Sequence, residues 1–356
     1  MNEANPVISV SNLRKRFNLE AGFFARLGRY VYAVNGVSFS IGRNESYGLV
    51  GESGCGKTTT ARLLVRMYEA DEGEILFTGP GGETEDVRKL KGTEFKRYRE
   101  KVKYVFQDPA RSLNPRMTVY EVLTSGARWS SGGKGTKDKA LGEEAASILE
   151  EVGLSAADLE RRPAEFSGGQ RQRISIARGL IMKPSLLICD EVVSALDVSI
   201  QGQILNLLLD LRSRRKISFL FIAHDLKVAS YFCDRIGVMY RGEIMEEAPA
   251  AHLWKNHFHP YTELLFSSIN RGEDTPPLPP PGQGANYPAF SPPVPPVTPS
   301  APPLPLSPVQ SELKGMTTES SGCAFAPRCR YAEDRCFREK PELREAEPGH
   351  PVRCWK

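Results

Sequence analysis

The pattern of apolar and polar positions along residues 1–270 predicts an α/β fold. Short, almost wholly apolar runs at Ser46–Val50, Ser185–Cys189 and Ile217–Ala223 indicate strands that are covered on both faces, because such strands lose the usual alternation. A helical pattern over Lys57–Met67 follows the first run. Polar side chains come directly after each predicted strand, and α/β sheets place their chemistry at the carboxyl ends of strands.

Three further segments of the chain have patterns of their own. Between about 110 and 182 the pattern is largely helical, which predicts a helical subdomain inserted into the α/β domain. Residues 271–308 are rich in proline and cannot form a packed core, so we expect an extended linker there. Residues 309–356 should form a small C-terminal module with four of the seven cysteines. No internal repeat is visible, which predicts one α/β domain per chain.

Composition restricts the partners of the chain. Of its 356 residues, 40% are apolar and 25% are charged, with a net charge of +4, which is ordinary for a globular protein. No block of Lys and Arg stands out, so nucleic-acid binding is not expected. No stretch reaches the roughly 18–20 apolar residues that span a bilayer, and the N-terminus lacks an export signal. We therefore expect a cytosolic chain that depends on other subunits for any membrane span.

A glycine-rich loop carries the strongest chemical signal. The sequence GESGCGKT, from Gly51 to Thr58, matches G-x-x-x-x-G-K-[ST] between a predicted strand and a predicted helix. Glycines let successive backbone N–H groups surround phosphate oxygens, and the positive end of the next helix points at the same anion. Lys57 should contact the β- and γ-phosphates, and the Thr58 hydroxyl should bind Mg²⁺. The predicted nucleotide contacts in this loop are Gly51, Ser53, Gly54, Cys55, Gly56, Lys57, Thr58 and Thr59.

Two carboxylates follow the second predicted strand. We expect Asp190 to hold Mg²⁺ and Glu191 to act as the general base that polarises an attacking water. His224 ends the third predicted strand, where a γ-phosphate contact is plausible. Gln107 follows the strand-like segment Val102–Phe106 and has an amide suited to Mg²⁺ and water. Each of these signals is weak alone, but the upstream phosphate loop strengthens them.

The segment FSGGQRQR, Phe166–Arg173, lies before an apolar helical pattern and upstream of the acid pair. It resembles the signature motif of ABC ATPases, with Phe166 in place of the usual leucine. The resemblance covers residues 7–270. It implies an ABC-type ATPase with a RecA-like mixed sheet, an antiparallel β subdomain and a helical subdomain. It also implies that Ser167 faces the γ-phosphate of ATP held by an opposing domain.

Other motifs of this family occur in the family's order. Gln107 corresponds to the Q-loop, Ser194–Asp197 to the D-loop and His224 to the H-switch. Several aromatic residues precede the phosphate loop, and among them Tyr30 is our candidate for stacking on adenine. The residues that the resemblance adds to the nucleotide site are Ser167, Gly168, Gly169, Gln170 and Asp197.

Three segments are similar to the ATP-binding subunits of bacterial oligopeptide and dipeptide importers: 106–119, 190–201 and 259–265. This similarity implies a peripheral subunit at the cytoplasmic face of the inner membrane, paired with a second, homologous ATPase subunit. It also implies two membrane-spanning permease subunits and an extracytoplasmic substrate-binding protein. Nickel, a glycoside or another small solute stays open as cargo. A soluble ABC ATPase not tied to transport is the alternative from another class.

Four cysteines near the C-terminus have the spacing C-x5-C-x6-C-x17-C: Cys323, Cys329, Cys336 and Cys354. In a reducing cytosol such a cluster indicates a metal or cluster site rather than disulfides. Four thiolates suit an iron–sulfur cluster or Zn²⁺. Similarity to the C-terminal extension of the importer subunits implies a [4Fe–4S] cluster, while the thiol chemistry alone leaves Zn²⁺ or unliganded thiols open.

Overall fold

The computed structural model describes residues 5–18, 30–130, 138–269 and 321–356. The predicted linker at 271–308 and the start of the predicted C-terminal module lie outside the described residues. The chain divides into two compact units. Of the described residues, the first unit contains those within 5–8, 40–46 and 76–222, and the second contains those within 9–39, 47–75 and 223–356.

Short strands and helices alternate along the described chain. The strands are β1 (Ile8–Asn18), β2 (Tyr30–Ile41), β3 (Ser46–Val50), β4 (Glu72–Thr78), β5 (Thr84–Asp86), β6 (Val102–Val105), β7 (Leu186–Asp190), β8 (Ser218–Ala223), β9 (Arg235–Tyr240), β10 (Glu243–Pro249), β11 (Arg344–Glu347) and β12 (His350–Val352). The helices are α1 (Lys57–Leu64), α2 (Gly92–Lys101), α3 (Pro109–Ser112), α4 (Val119–Ser130), α5 (Asp138–Glu151), α6 (Gly168–Leu180), α7 (Val198–Arg215), α8 (Leu226–Phe232), α9 (Ala250–Lys255), α10 (Pro260–Ile269) and α11 (Asp334–Arg338). None of the helices in the described ranges combines the length and apolarity needed to span a bilayer.

Parallel strands form the centre of the first unit. β7 pairs with β6 on one side and with β8 on the other, so that Val102 lies opposite Leu186 and Cys189 opposite Phe221. Every residue of β7 and β8 is buried. The unbroken apolar runs of the sequence therefore correspond to strands covered on both faces. β7 extends one residue beyond the predicted strand, so Asp190 is its last residue and is itself buried.

Helices α4, α5 and α6 of the first unit contact one another, and α6 also packs against β6 and α7. Two glycines allow α6 to approach its neighbours closely. A Cβ at Gly169 would lie 2.8 Å from Cγ2 of Ile200 on α7, and one at Gly179 would lie 2.9 Å from Cδ1 of Leu187 on β7. The fully buried Ile174 on α6 contributes about 1.5–3 kcal/mol to stability, as large apolar side chains do in a core.

The helix that follows the glycine-rich loop is shorter than predicted. The sequence pattern extends to Met67, but α1 ends at Leu64. Arg66 adopts a left-handed backbone conformation with φ of 52°, and the Met67 N–H then donates to the carbonyl of Arg62. This geometry closes a helix C-terminus. The Met67 side chain is exposed, so no burial favours another turn.

The C-terminal segment belongs to a sheet of the second unit. β9 pairs in parallel with β3 and antiparallel with β10, and β12 then pairs antiparallel with both β10 and β11. The order within this unit is thus β3, β9, β10, β12, β11. β2, β1 and β4 are neighbours, in that order, in a separate sheet. Because β12 pairs with β10, residues 350–352 join the sheet that contains β3, which lies some 300 residues earlier in the chain.

A buried carboxylate on β10 anchors this C-terminal strand. Glu246 is fully buried and accepts hydrogen bonds from the N–H groups of Phe258 (2.6 Å) and His259 (3.1 Å). Nε2 of His350, the first residue of β12, lies 2.7 Å from the same carboxylate. Burial alone would raise the pKa of Glu246, but these hydrogen bonds hold its pKa below the usual range. A buried charge is tolerated only when it is paired in this way.

In the first unit, an ion pair joins α5 to α7. Arg215 donates two hydrogen bonds to Glu151, at 2.7 and 2.8 Å. The hydrogen bonds from Arg215 hold the pKa of Glu151 below its usual value. We expect Glu151→Gln to lower the free energy of unfolding at pH 7 by about 1 kcal/mol, a value typical of a two-pronged, partly exposed pair.

This difference should disappear in acid. The folded-state pKa of Glu151 is depressed, so its contribution is complete above the unfolded pKa, near 4.3, and is lost as the pH falls through the folded value. Urea unfolding of both proteins at neutral and acid pH measures the effect. The neighbouring exposed Glu150 supplies the control Glu150→Gln, which should match the wild type at both pH values. Equal stability of Glu151→Gln and wild type at pH 7 would contradict the assignment.

Candidate functional site

The glycine-rich loop joins β3 to α1 in the second unit. Gly56 has φ of 110°, and a Cβ there would lie 2.1 Å from the carbonyl oxygen of Ala33 on β2. A Cβ at Gly51 would lie 2.1 Å from the carbonyl oxygen of Met239 on β9. Only glycine fits at either position. Side chains are therefore excluded at both positions, and the loop depends on the close approach of these two carbonyl oxygens.

Lys57 begins α1 with its side chain folded under the loop. The residue is buried, and its ammonium donates to the carbonyl oxygens of Gly51 (2.7 Å) and Glu52 (3.0 Å). Cys55 is buried beside it, and burial raises the pKa of this thiol although Lys57 opposes the shift. Cys55 is thus a neutral thiol at physiological pH. Among the other predicted contacts, Ser53 is exposed, Thr58 is half-buried and Thr59 is buried.

Of the predicted catalytic residues, the structure brings Gln107 and Glu191 together in the first unit. The Gln107 amide donates to Oε2 of Glu191 over 2.7 Å. Glu191 has φ of 48°, and its N–H donates to the carbonyl of Ile222. A left-handed conformation at a residue other than glycine costs roughly 1–2 kcal/mol and is typical of functional positions. The side chain of Glu191 is therefore held by its backbone and by a neighbouring amide.

Asp190 has a partner that the sequence analysis did not identify. The hydroxyl of Tyr104 on β6 donates a hydrogen bond to Oδ2 of Asp190. The parallel register of β6 and β7 places Tyr104 beside Ile188, two residues before the aspartate. No motif signals this tyrosine, because the contact depends on strand pairing across more than 80 residues.

The predicted signature segment forms the start of α6. Ser167 is the N-cap, its hydroxyl accepts a hydrogen bond from the N–H of Gln170, and the Gln170 side chain accepts one from the N–H of Ser167. This reciprocal arrangement fixes the first turn of a helix whose dipole favours an anion. Gly168 and Gly169 form the first turn. Asp197 likewise precedes α7, where its carbonyl accepts from the N–H of Ile200.

The remaining predicted residues, Tyr30 and His224, lie in the second unit. His224 is exposed and directly follows β8. Tyr30 begins β2, is 40% exposed, and has the guanidinium of Arg16 at 4.7 Å from its ring centre. An exposed ring with one covered face has a second face for stacking.

The C-terminal segment contacts the glycine-rich loop. Arg328 donates two hydrogen bonds, of 2.8 and 2.9 Å, to the carboxylate of Glu52. The N–H of Glu52 donates to the hydroxyl of Tyr261 over 2.9 Å. Both contacts were missed from sequence, although Tyr261 lies in the segment 259–265. Glu52 is therefore held at both its backbone and its side chain, directly before Ser53 in the loop.

All four C-terminal cysteines line one cavity of about 400 Å³ in the second unit, together with His259, Phe325, Tyr331 and Trp355. The thiols are free rather than paired in disulfides. Burial raises the pKa values of Cys323 and Cys354, and the neighbouring cysteines act in the same direction. In the described part of the chain, no three of these thiols gather within the 4.8 Å that would suggest a site for a single ion.

The contact between Arg328 and Glu52 can be measured with a double-mutant cycle. Both side chains are 41% exposed, so we expect a coupling energy of up to about 1 kcal/mol between Arg328→Ala and Glu52→Ala in urea unfolding. Arg338→Ala is the matched control, because this arginine is 79% exposed and pairs only weakly with Asp334. Combined with Glu52→Ala, it should show additive effects on stability. Additive effects of the two substitutions would show that the contact contributes nothing to stability in solution.

Comparison with known proteins places these features in a family. The family model described as "ABC transporter" matches residues 34–194, and the model described as "Oligopeptide/dipeptide transporter, C-terminal region" matches residues 245–286 and 294–336. A putative peptide import ATP-binding protein of Brucella ovis is 42% identical over 98% of this chain and 97% of its own. A putative oligopeptide transport ATP-binding protein of Bacillus subtilis, YkfD, is 39% identical over 98% of this chain and 95% of its own.

Solved structures show the same fold. A dimeric ATP-binding cassette in a post-hydrolysis state, bound to ADP and phosphate, has a TM-score of 0.58 at 25% identity and covers 70% of this chain and 100% of its own. The ADP conformation of another ABC transporter cassette has a TM-score of 0.59 at 25% identity over 74% of this chain and 98% of its own. The chain has the α/β fold of these cassettes, and it belongs to the ATP-binding proteins of the ABC transporter family.

Proposed function

We propose that this chain binds Mg-ATP and hydrolyses it to power the import of oligopeptides or dipeptides. The geometry of the glycine-rich loop carries the proposal, because backbone carbonyls allow only glycine at Gly51 and Gly56 and the loop leads directly into α1 with Lys57 as its first residue. Relatives of about 40% identity over nearly the whole chain are named as peptide or oligopeptide import ATP-binding proteins. No residue of the chain is assigned to cargo, so the choice of peptide over nickel or a glycoside rests on these relatives.

The loop and the acid pair supply the chemistry. Lys57 would exchange its carbonyl partners for the β- and γ-phosphates, and the Thr58 hydroxyl and Asp190 would hold Mg²⁺, which neutralises the phosphate charge when bound. Glu191 would accept the proton of the attacking water. The hydrogen bond from Gln107 supports this role, since it orients the carboxylate while the water site forms. Tyr104 would keep Asp190 in position as a ligand.

Hydrolysis would need a second nucleotide-binding subunit. We place Ser167, Gly168, Gly169 and Gln170 against the nucleotide that the partner holds, because a capped helix N-terminus favours the γ-phosphate. Asp197 and His224 would complete the interface and the γ-phosphate contacts, and Tyr30 would stack on adenine. The partner is a homologous ATPase subunit. Both would act at the cytoplasmic face of the inner membrane on two permease subunits, which receive cargo from an extracytoplasmic binding protein.

Replacing the proposed base separates binding from chemistry. We expect Glu191→Gln to bind Mg-ATP as the wild type does, because the phosphate loop is unchanged. Phosphate release should fall by at least about 100-fold, the usual contribution of a general base. Equilibrium binding of a fluorescent ATP analogue and steady-state phosphate release by the assembled transporter measure the two effects.

Two further variants give the contrast that this experiment needs. Lys57→Ala should lose both nucleotide binding and turnover, whereas Glu150→Gln on the exposed surface of α5 should retain both. Normal phosphate release by Glu191→Gln would mean that another residue is the base. Normal ATP binding by Lys57→Ala would contradict the phosphate-loop assignment.

We also propose that Cys323, Cys329, Cys336 and Cys354 hold a [4Fe–4S] cluster. The donor set fits, since four free thiols line a single cavity that is large enough for a multi-atom group. No three of these thiols lie within 4.8 Å of one another among the described residues, which favours a cluster over a single Zn²⁺ with four sulfur ligands close together. The cluster would act as a structural staple for a segment too small to hold a core of its own.

Metal analysis decides between these groups. Chain purified without oxygen should be brown and contain about four iron and four sulfide per molecule, the composition of this cluster type. Cys323→Ser should lower the iron content sharply, whereas Cys233→Ser, which removes a buried thiol remote in sequence from the four, should leave it unchanged. Zinc without iron in the anaerobic protein would overturn the cluster assignment.

A further inference from the structure

Three potential metal ligands meet where the C-terminal hairpin contacts α9. They are His252 on α9, Glu347 at the end of β11 and His350 at the start of β12, all in the second unit. One ligand atom from each side chain lies within 4.8 Å of the others. Nε2 of His252 is 3.1 Å from Oε2 of Glu347, and the rings of His252 and His350 are 5.3 Å apart between centres.

One ring nitrogen of His350 makes a hydrogen bond, and the other has no hydrogen-bond partner. Its Nε2 lies 2.7 Å from a carboxyl oxygen of Glu246, which also accepts hydrogen bonds from two backbone N–H groups. A carboxylate only accepts hydrogen bonds, so Nε2 is the donor in this contact, and in the neutral imidazole Nδ1 is then the acceptor. Nδ1 then presents a lone pair. This atom is buried, in a residue with no exposed surface, and has no hydrogen-bond partner.

This arrangement is typical of a histidine that binds a metal ion. Metal-bound histidines commonly donate their second nitrogen to a carboxylate, which fixes the ring and makes the ligating nitrogen more basic. The Glu246–His350 pair already has that arrangement, and it is supported from β10, a strand in the interior of the sheet. His252 and Glu347 are about one-third and two-fifths exposed, so an ion could enter from their side.

We propose that His252, Glu347 and His350 form a binding site for one divalent transition-metal ion, with Glu246 as the positioning carboxylate. Two imidazoles and one carboxylate, with a coordination position left for water, are a ligand set that Zn²⁺ uses, and the same set also suits other divalent transition metals. The ion ties the hairpin β11–β12 to α9. It therefore secures the C-terminal strands to the sheet that also contains β9 and β10.

This site differs from the four-cysteine cavity in place and in chemistry. None of His252, Glu347 and His350 is among the residues that line that cavity. The ligands here are nitrogen and oxygen, whereas the cavity offers sulfur. Co²⁺ bound to thiolates shows intense charge-transfer bands in the near ultraviolet, while Co²⁺ bound to nitrogen and oxygen shows only weak visible bands. The two sites can therefore be counted separately in one protein.

The experiment uses the full chain without a polyhistidine tag, purified without oxygen, and titrates it with Co²⁺. We expect one equivalent to bind with weak visible bands from nitrogen and oxygen ligands, separate from any thiolate charge transfer that arises at the cysteines. His252→Ala and Glu347→Gln should each weaken this binding at least 10-fold, and Zn²⁺ should displace the cobalt. Zn²⁺ should also raise the melting temperature of the wild type but not of His252→Ala, because an ion that binds only the folded state stabilises it.

His257→Ala is the matched control, since this histidine lies five residues from His252 and outside the group. It should bind Co²⁺ as the wild type does. Cobalt binding by His252→Ala and Glu347→Gln that equals the wild type would overturn the proposal, as would a wild-type spectrum with thiolate bands alone. Both variants change partly exposed side chains, so their folding can be checked by circular dichroism before titration. The effects of His252→Ala and Glu347→Gln are read from the nitrogen and oxygen bands, and they do not depend on ATP hydrolysis.

Discussion

The glycine-rich loop is constrained by the backbone on both sides, and the rest of the site depends on this constraint. Carbonyl oxygens of Ala33 and Met239 lie where the Cβ atoms of Gly56 and Gly51 would be. The loop can keep its shape only with hydrogen at those two positions, and that shape starts α1 at Lys57. The ammonium of Lys57 in turn donates to two carbonyl oxygens of the loop, so the loop and the start of α1 hold each other in place.

The second constraint is the way the C-terminal segment is joined to the second unit. It adds β12 to β10, places His350 on the buried Glu246, and extends Arg328 to Glu52 of the loop. Each contact is modest alone, since exposed ion pairs contribute little and a short strand pair is marginal. Together these contacts attach a small segment to a sheet that it could not form by itself.

The local sequence pattern was sufficient to predict an element wherever burial on both faces, or a fixed loop geometry, restricts which residue types can occur. Continuous apolar runs located β3, β7 and β8 to within a residue or two. Parallel strands that are covered on both faces consist mostly of apolar residues, many of them branched or aromatic, so such runs mark them. The loop was found because only glycine allows its close contacts. Helix ends were less certain: α1 stops at Leu64 since Arg66 turns left-handed, and no glycine or proline marks that point.

The sequence by itself determined the α/β core, the phosphate loop, the acid pair after β7 and the four-cysteine spacing, since each depends on residues that are adjacent along the chain. Only the tertiary structure decided which side chains support them. Tyr104 reaches Asp190, Tyr261 and Arg328 reach Glu52, and the Nδ1 of His350 is left unpaired. These contacts join residues as many as 276 positions apart. Strand pairing and packing set them, and neither leaves a periodic signal in the local order of amino acids.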